Sequence, residues 1–208
     1  MWNSSLRHWP RDTLTLSETP TSLKNMPVMV RDARIEDIDT VQQIYTTHVL
    51  TGLASFEEVP PDREEMAQRM RDTQARGLPY LVSTITGTDG QDVLQGFAYA
   101  SPFRTRSAYR YTIEDSVYVA SDAIGRGHGS ALLGDLISRC TALGYRQMIA
   151  VIGDTANTAS IGLHARHGFV ETGSMPAVGF KFGRWVDSVR MQRTLGAGSS
   201  TPPDDISA

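Results

Sequence analysis

One cysteine, Cys140, stands among 208 residues, so the chain can form no internal disulfide. No apolar run approaches the roughly 20 residues that cross a bilayer as a helix. The first 26 residues lack the apolar core of a secretory signal; Ser, Thr, Pro and charges dominate there. Basic residues form no block, and 20 Lys and Arg against 23 Asp and Glu leave a formal charge of −3, which gives a nucleic-acid backbone little to hold. No internal repeat occurs. Two phosphate-binding strings are also missing. There is no Gly-x-x-x-x-Gly-Lys-Ser/Thr, and Gly-x-Gly-x-x-Gly fails because its sixth position is Ser130 read from Gly125 and Leu132 read from Gly127. What remains is one soluble domain with an apolar content of 40%, enough for a sizeable core. A cytoplasmic location without membrane or nucleic-acid partners is the simple reading.

What is present is a glycine-studded turn between a strand and an amphipathic helix: Ser116-Val-Tyr-Val-Ala-Ser-Asp-Ala-Ile-Gly-Arg-Gly-His-Gly-Ser-Ala-Leu-Leu133. The first amides of a helix have no internal partners, and the helix dipole adds partial positive charge there. Gly125, Gly127 and Gly129 leave that backbone bare, so an anion such as phosphate can approach it closely. Arg126 and His128 stand ready to add contacts. Glycines also serve ordinary tight turns, so the flanks decide. Leu132, Leu133, Leu136, Ile137, Cys140 and Leu143 share one helical stripe that stops at Gly144. On that stripe Cys140 reads as inert packing rather than a reactive thiol. A buried strand over 147–152 follows, then a short helix headed by Asn157 and ending at Gly168.

The rest of the chain reads as mixed helix and strand around one sheet, an α/β or α+β sandwich. A strand is expected over 28–32, a helix through Ile35, Ile38, Val41, Ile44, Tyr45 and His48, and a second helix over 62–76. A hairpin follows over 80–100, and a closing strand runs over 186–195. Residues 1–26 read as a flexible leader, 27–195 as the domain and 196–208 as a disordered tail. Along the strand at 111–119, alternate side chains share a face. Glu114, Ser116 and Tyr118 point one way, and Asp115, Val117 and Val119 the other, so Glu114 and Asp115 are not a paired carboxylate unless a bulge breaks the alternation.

The order strand, glycine-turn helix, strand, Asn-headed helix, then His-x-x-x-Gly-Phe resembles the acetyl-CoA-binding half of the GNAT N-acetyltransferases. Phe103-Arg-Thr-Arg106, Tyr109-Arg-Tyr-Thr-Ile-Glu-Asp-Ser-Val-Tyr-Val119, Met148-Ile-Ala-Val-Ile-Gly153 and Val178-Gly-Phe-Lys-Phe-Gly-Arg-Trp185 are similar to the phosphinothricin and methionine-sulfoximine acetyltransferase group. The resemblance covers roughly 28–195. It implies a GNAT fold: a central mixed, largely antiparallel twisted sheet flanked by helices, with a bulged strand splayed from its neighbour to hold acetyl-CoA. It implies direct acetyl transfer to the α-amine of a small polar or anionic amino acid, a detoxifying role, no metal, and a homodimer. A polyamine acetyltransferase and an inactive CoA-binding sensor are the alternatives.

The resemblance also assigns residues. Backbone contacts to pantetheine fall on Val117, Tyr118 and Val119, and pyrophosphate contacts on Gly125, Arg126, Gly127, His128, Gly129 and Ser130. Asn157 is either a plain helix cap or a pantetheine ligand, or both. Substrate contacts map to Arg104, Thr105, Arg106, Glu114, Asp115 and Ser116. Arginine forks suit carboxylates and phosphinates. Glu114 matches the glutamate proposed as base, which an ammonium substrate needs at neutral pH. His164 stands where many members have a tyrosine that protonates the leaving thiolate; it either does so here or packs and binds CoA. The chemical role of the Lys181, Arg184 and Trp185 motif does not follow from spacing.

Overall fold

Ile38, Val41, Ile44, Tyr45 and Val49 recur at helical spacing and form the buried face of the first helix, α1 (Ile38–Thr51). Met66, Ala67 and Met70 do the same for α2 (Arg63–Ala75), which starts where Asp62 accepts a hydrogen bond from the Glu65 N–H at 2.9 Å. In α3 (His128–Ala142) the buried stripe is Leu132, Leu133, Leu136, Ile137 and Cys140. Each such apolar side chain contributes roughly 1.5–3 kcal/mol when fully buried. Burial pushes the Cys140 thiol up to about 12, as inert packing requires. The last helix, α4 (Thr158–Arg166), begins at Asn157, whose side chain accepts from the Ser160 N–H at 3.2 Å.

The computed structural model describes residues 26–204. Seven strands form one sheet: β1 (Met29–Asp32), β2 (Tyr80–Thr86), β3 (Asp92–Pro102), β4 (Thr112–Val119), β5 (Gln147–Gly153), β6 (Val170–Lys181) and β7 (Arg184–Thr194), in the order β1-β2-β3-β4-β5-β7-β6. Every neighbouring pair is antiparallel except β4 and β5, so the sheet is mixed and largely antiparallel as expected. Two apolar layers cover it. Tyr80, Val82, Phe97 and Tyr118 meet α1 and α2 on one face, and Leu81, Ala98, Ile113 and Met148 meet α3 on the other.

The feature that places the site is the parallel pair. β4 and β5 run together only from Thr112↔Gln147 to Asp115↔Ala150; beyond that the strands part. The implied bulge is absent from the pairing of β4 with β3, which keeps one register from Gly96↔Val119 to Pro102↔Ile113. The opening therefore lies wholly on the β5 side.

Two segments differ from expectation. The strand β6 was not anticipated, because Gly173, Pro176 and Gly179 interrupt it, most of its side chains are exposed, and Ala177 takes a positive φ of 50°. Residues 196–202 are not a loose tail: they turn back and receive hydrogen bonds from Arg146 to the Gly198 carbonyl, Thr201 Oγ1 and the Pro202 carbonyl, each at 3.3 Å. The expected leader lies outside the described residues up to position 25, as does the end of the tail, 205–208.

Candidate active site

The parted strands make a narrow wedge of about 50 Å³. Asp115 to Tyr118 form one arm and Ala150 to Gly153 the other, and α4 closes the floor with Asn157, Ser160 and His164. Backbone groups of an extended strand alternate in direction. The Ala120 N–H goes to the Gln95 carbonyl in β3 at 2.8 Å, so the Val119 N–H turns to the opened side. The Val119 carbonyl is held by His48 Nε2 of α1 at 2.9 Å. Spacing had marked His48 only as a core-facing helix residue, and a contact across 71 positions leaves no local signal.

The glycine turn stands beside the wedge. Gly127 caps α3 at φ 92°, in the left-handed region that favours glycine. The amides of His128, Gly129 and Ser130 form the first turn of α3, and among the described residues no backbone acceptor outside the helix takes them. The Arg126 amide differs: it donates to the Ala123 carbonyl at 3.3 Å, so only the Arg126 side chain is free to meet an anion. The His128 imidazole turns inward, buried, with Nδ1 3.2 Å from Ser83 Oγ; it can offer an anion its backbone only. Burial, then the Arg126 charge, holds that imidazole below its usual pKa.

A wider cleft of about 390 Å³ adjoins the wedge and shares Ala54, Ser116, Tyr118, Val151 and Gly153 with it. Glu114 lines this cleft. Burial lifts its carboxyl above the usual range, the neighbouring Asp115 charge adds to the lift, and Arg104 opposes it. Among the described residues the Glu114 carboxylate has no hydrogen-bond partner, which leaves it free for a ligand. Arg104 is thus near enough to be felt, though like Thr105 and Arg106 it is exposed and outside the cleft lining. The other wall is the connection between α1 and α2, on which no sequence motif points to a site. It brings Ser55, Phe56 and Glu57 to the cleft.

Asp115 lies on the face away from Glu114. Strand alternation sends it to the α4 side, where its side chain is 1% exposed and Oδ2 lies 2.9 Å from His164 Nε2. It does not line the wider cleft. His164 Nδ1 lies 2.8 Å from the Ser160 carbonyl, which can only accept, so Nδ1 donates there. Both ring nitrogens are therefore committed, and one proton is shared between Nε2 and Asp115. Burial alone would depress the imidazole; the hydrogen bond and charge of Asp115 outweigh it and hold the pKa above the usual 6.5. A histidine raised in this way contributes stability that is complete below the unfolded value of about 6.5 and is lost as pH rises through the folded value. The thermal midpoint is expected to fall across that alkaline window and to lose this slope in Asp115→Asn. Identical profiles for the two proteins in scanning calorimetry from pH 5 to 9 would contradict the pairing.

A sheet that opens beside a helix with free first-turn amides, with an unpaired carboxylate in the adjoining cleft, has the arrangement of an acyl-transferring α/β enzyme. The model of the acetyltransferase (GNAT) family matches residues 42–169, and the chain belongs to that family. It is 55% identical over 175 residues to a phosphinothricin N-acetyltransferase of Alcaligenes faecalis, covering 84% of this chain and 86% of that one. It is 40% identical over 178 residues to an L-methionine sulfoximine/L-methionine sulfone acetyltransferase of Pseudomonas aeruginosa, covering 85% and 100%. Among solved structures, a GNAT superfamily phosphinothricin acetyltransferase from Sinorhizobium meliloti in complex with acetyl-CoA superposes with a TM-score of 0.81 at 47% identity, covering 86% of this chain and 95% of that one.

Proposed function

We propose that the protein transfers the acetyl group of acetyl-CoA to the α-amine of a small polar or anionic amino acid of the phosphinothricin, methionine sulfoximine or methionine sulfone type. The observation that carries this reading is Glu114: a half-buried, unpartnered carboxylate of raised pKa on the wall of the amine cleft, beside the wedge. The amides of His128, Gly129 and Ser130, with the Arg126 side chain, hold the pyrophosphate at the mouth of α3. The opened edge of β4 and the Asn157 side chain hold the pantetheine arm. The amine enters from the cleft, loses its proton to Glu114 directly or through water, and attacks the thioester carbonyl. The oxyanion that forms is met by the Val119 N–H; its collapse breaks the C–S bond, and CoA leaves as the thiolate, which takes up the proton that the nitrogen sheds on becoming an amide. The Arg104 guanidinium favours an anionic or strongly polar side chain in this amine.

Support for the substrate class comes from the relatives' names and from Arg104 near Glu114. A screen of amines against acetyl-CoA, read by thiol release, is the test. Turnover of phosphinothricin, methionine sulfoximine or methionine sulfone is expected. Preference for polyamines would overturn the substrate class, and calorimetric binding of acetyl-CoA without turnover of any amine would leave a CoA sensor.

A homodimer belongs to the same proposal. Phe180, Phe182 and Trp185 cluster at the turn joining β6 and β7, and Trp185 is 65% exposed. Exposed aromatics at this density mark a docking surface. Sedimentation is expected to give twice the monomer mass and Trp185→Arg to halve it; a monomeric wild type would exclude the dimer. A cytoplasmic location and a detoxifying role complete the proposal: acetylation removes the ammonium charge by which such a molecule passes for an amino acid.

A further inference from the structure

The loop that walls the amine cleft is held from two sides. Toward the helices, the Tyr45 hydroxyl donates to Glu57 Oε1 at 3.0 Å and takes a hydrogen bond from Ser55 Oγ at 3.0 Å, and Arg69 donates to the same Glu57 oxygen at 2.7 Å. Toward the sheet, the holder is Lys181 at the end of β6. Its residue is 2% exposed, and Nζ donates to the Gly52 carbonyl at 3.0 Å and to the Ser55 carbonyl at 2.7 Å. Burying an ammonium is costly unless a carboxylate pairs with it. Here both acceptors are neutral main-chain carbonyls of one loop, so the charge is spent on the geometry of that loop.

Two glycines complete the seat. A Cβ on Gly153 would stand 2.0 Å from the Leu53 carbonyl oxygen, and one on Gly179 would stand 2.4 Å from the Phe56 ring. Neither glycine has a positive φ, so the backbone itself would accept alanine at both. What excludes a side chain there is the approach of the loop.

We propose that Lys181 is a positioning residue for the amine substrate: it draws the loop from Gly52 to Ser55 onto the ends of β5 and β6, and so fixes Ser55, Phe56 and Glu57 as walls of the cleft. This rests on the reading of that cleft as the amine site. It gives a role to the lysine of the Gly-Phe-Lys-Phe-Gly-Arg-Trp motif that spacing alone left open. Lys181 does not itself line the wedge, and of the loop it holds only Ala54 reaches that lining, so its effect should fall mainly on the amine.

Lys181→Met keeps the length of the side chain and removes its charge and donors. Gly179→Ala leaves Lys181 intact and pushes on Phe56. Both are expected to lower kcat/KM for the amine by about 10²-fold, because small misplacements of positioning groups cost that much, while the calorimetric Kd for CoA stays within about twofold. Agreement between two changes on opposite sides of the contact separates positioning from a general loss of stability. Unchanged amine kinetics in folded Lys181→Met would overturn the inference, and so would an equal loss of CoA affinity in both variants. A wild-type protein that binds no CoA would sink the acetyltransferase reading itself, and the inference with it.

Discussion

Glu114→Gln is expected to lower kcat/KM by roughly 10²–10⁴-fold while the Kd for CoA is unchanged. Glutamine keeps the shape of the side chain but cannot take a proton. The α-amine of an amino acid is mostly protonated at neutral pH, so a site without a base must wait for the rare neutral molecule. The loss should therefore shrink as pH rises and more amine arrives already neutral. The structure sharpens this expectation. Burial and the Asp115 charge lift the Glu114 carboxyl above its usual range, which makes it a stronger base than an exposed glutamate, and Arg104 pulls the other way. Arg104→Ala should consequently move the acidic limb of the kcat/KM profile to higher pH. A glutamine variant whose KM rises while its pH profile keeps the wild-type form would make Glu114 an orienting group instead. His164→Ala should cost less in the chemical step, since a thiol of pKa about 8.5 leaves tolerably without help. It should cost more in folding, by about 3–5 kcal/mol, because it strands the buried Asp115 carboxylate.

Local pattern carried much of this site. The Gly125–Ser130 turn, the apolar stripe of α3 and the Asn157 cap are each written in adjacent residues, and the structure places them where that pattern puts them, except Leu143, which falls at the C-cap of α3 and is exposed. Strand alternation alone put Glu114 and Asp115 on opposite faces, and they are. What alternation could not supply was the partner of Asp115, which lies 49 positions away on α4 and is brought close by the parallel crossover. The resemblance gave both carboxylates one role, whereas the strand's alternation separates their surroundings. The inward turn of His128 was hidden for a similar reason, since Ser83 belongs to a strand 45 positions earlier. The β6 strand was invisible because its glycines and proline remove the very alternation by which strands are read. The Lys181 contacts join residues 126 and 129 positions apart, through main-chain carbonyls that no side-chain pattern records.

The turn at Gly127 allows its charge effect to be separated from its backbone effect. Gly127→Asp places a carboxylate at the cap of α3, beside the first-turn amides of His128, Gly129 and Ser130. A Cβ there meets nothing within 4 Å, so steric exclusion is not the issue. The φ of 92° is a strain for any side chain, and Asn and Asp bear the left-handed region better than most residues. Gly127→Asn is thus the control: it carries nearly the same strain and shape without the charge. The aspartate would also satisfy the free amides itself, competing with the ligand as well as repelling it. Relative to the asparagine variant, the aspartate variant should bind CoA about 2 kcal/mol more weakly, or roughly 30-fold in Kd. The difference should narrow as salt screens the repulsion. Dephospho-CoA keeps the pyrophosphate but lacks the 3′-phosphate, so it should show the same gap between the two variants, whereas acetyl-pantetheine, with no pyrophosphate, should show almost none. An equal Kd for CoA in the two variants, both folded, would mean that the bare amides of α3 serve the turn and not a phosphate.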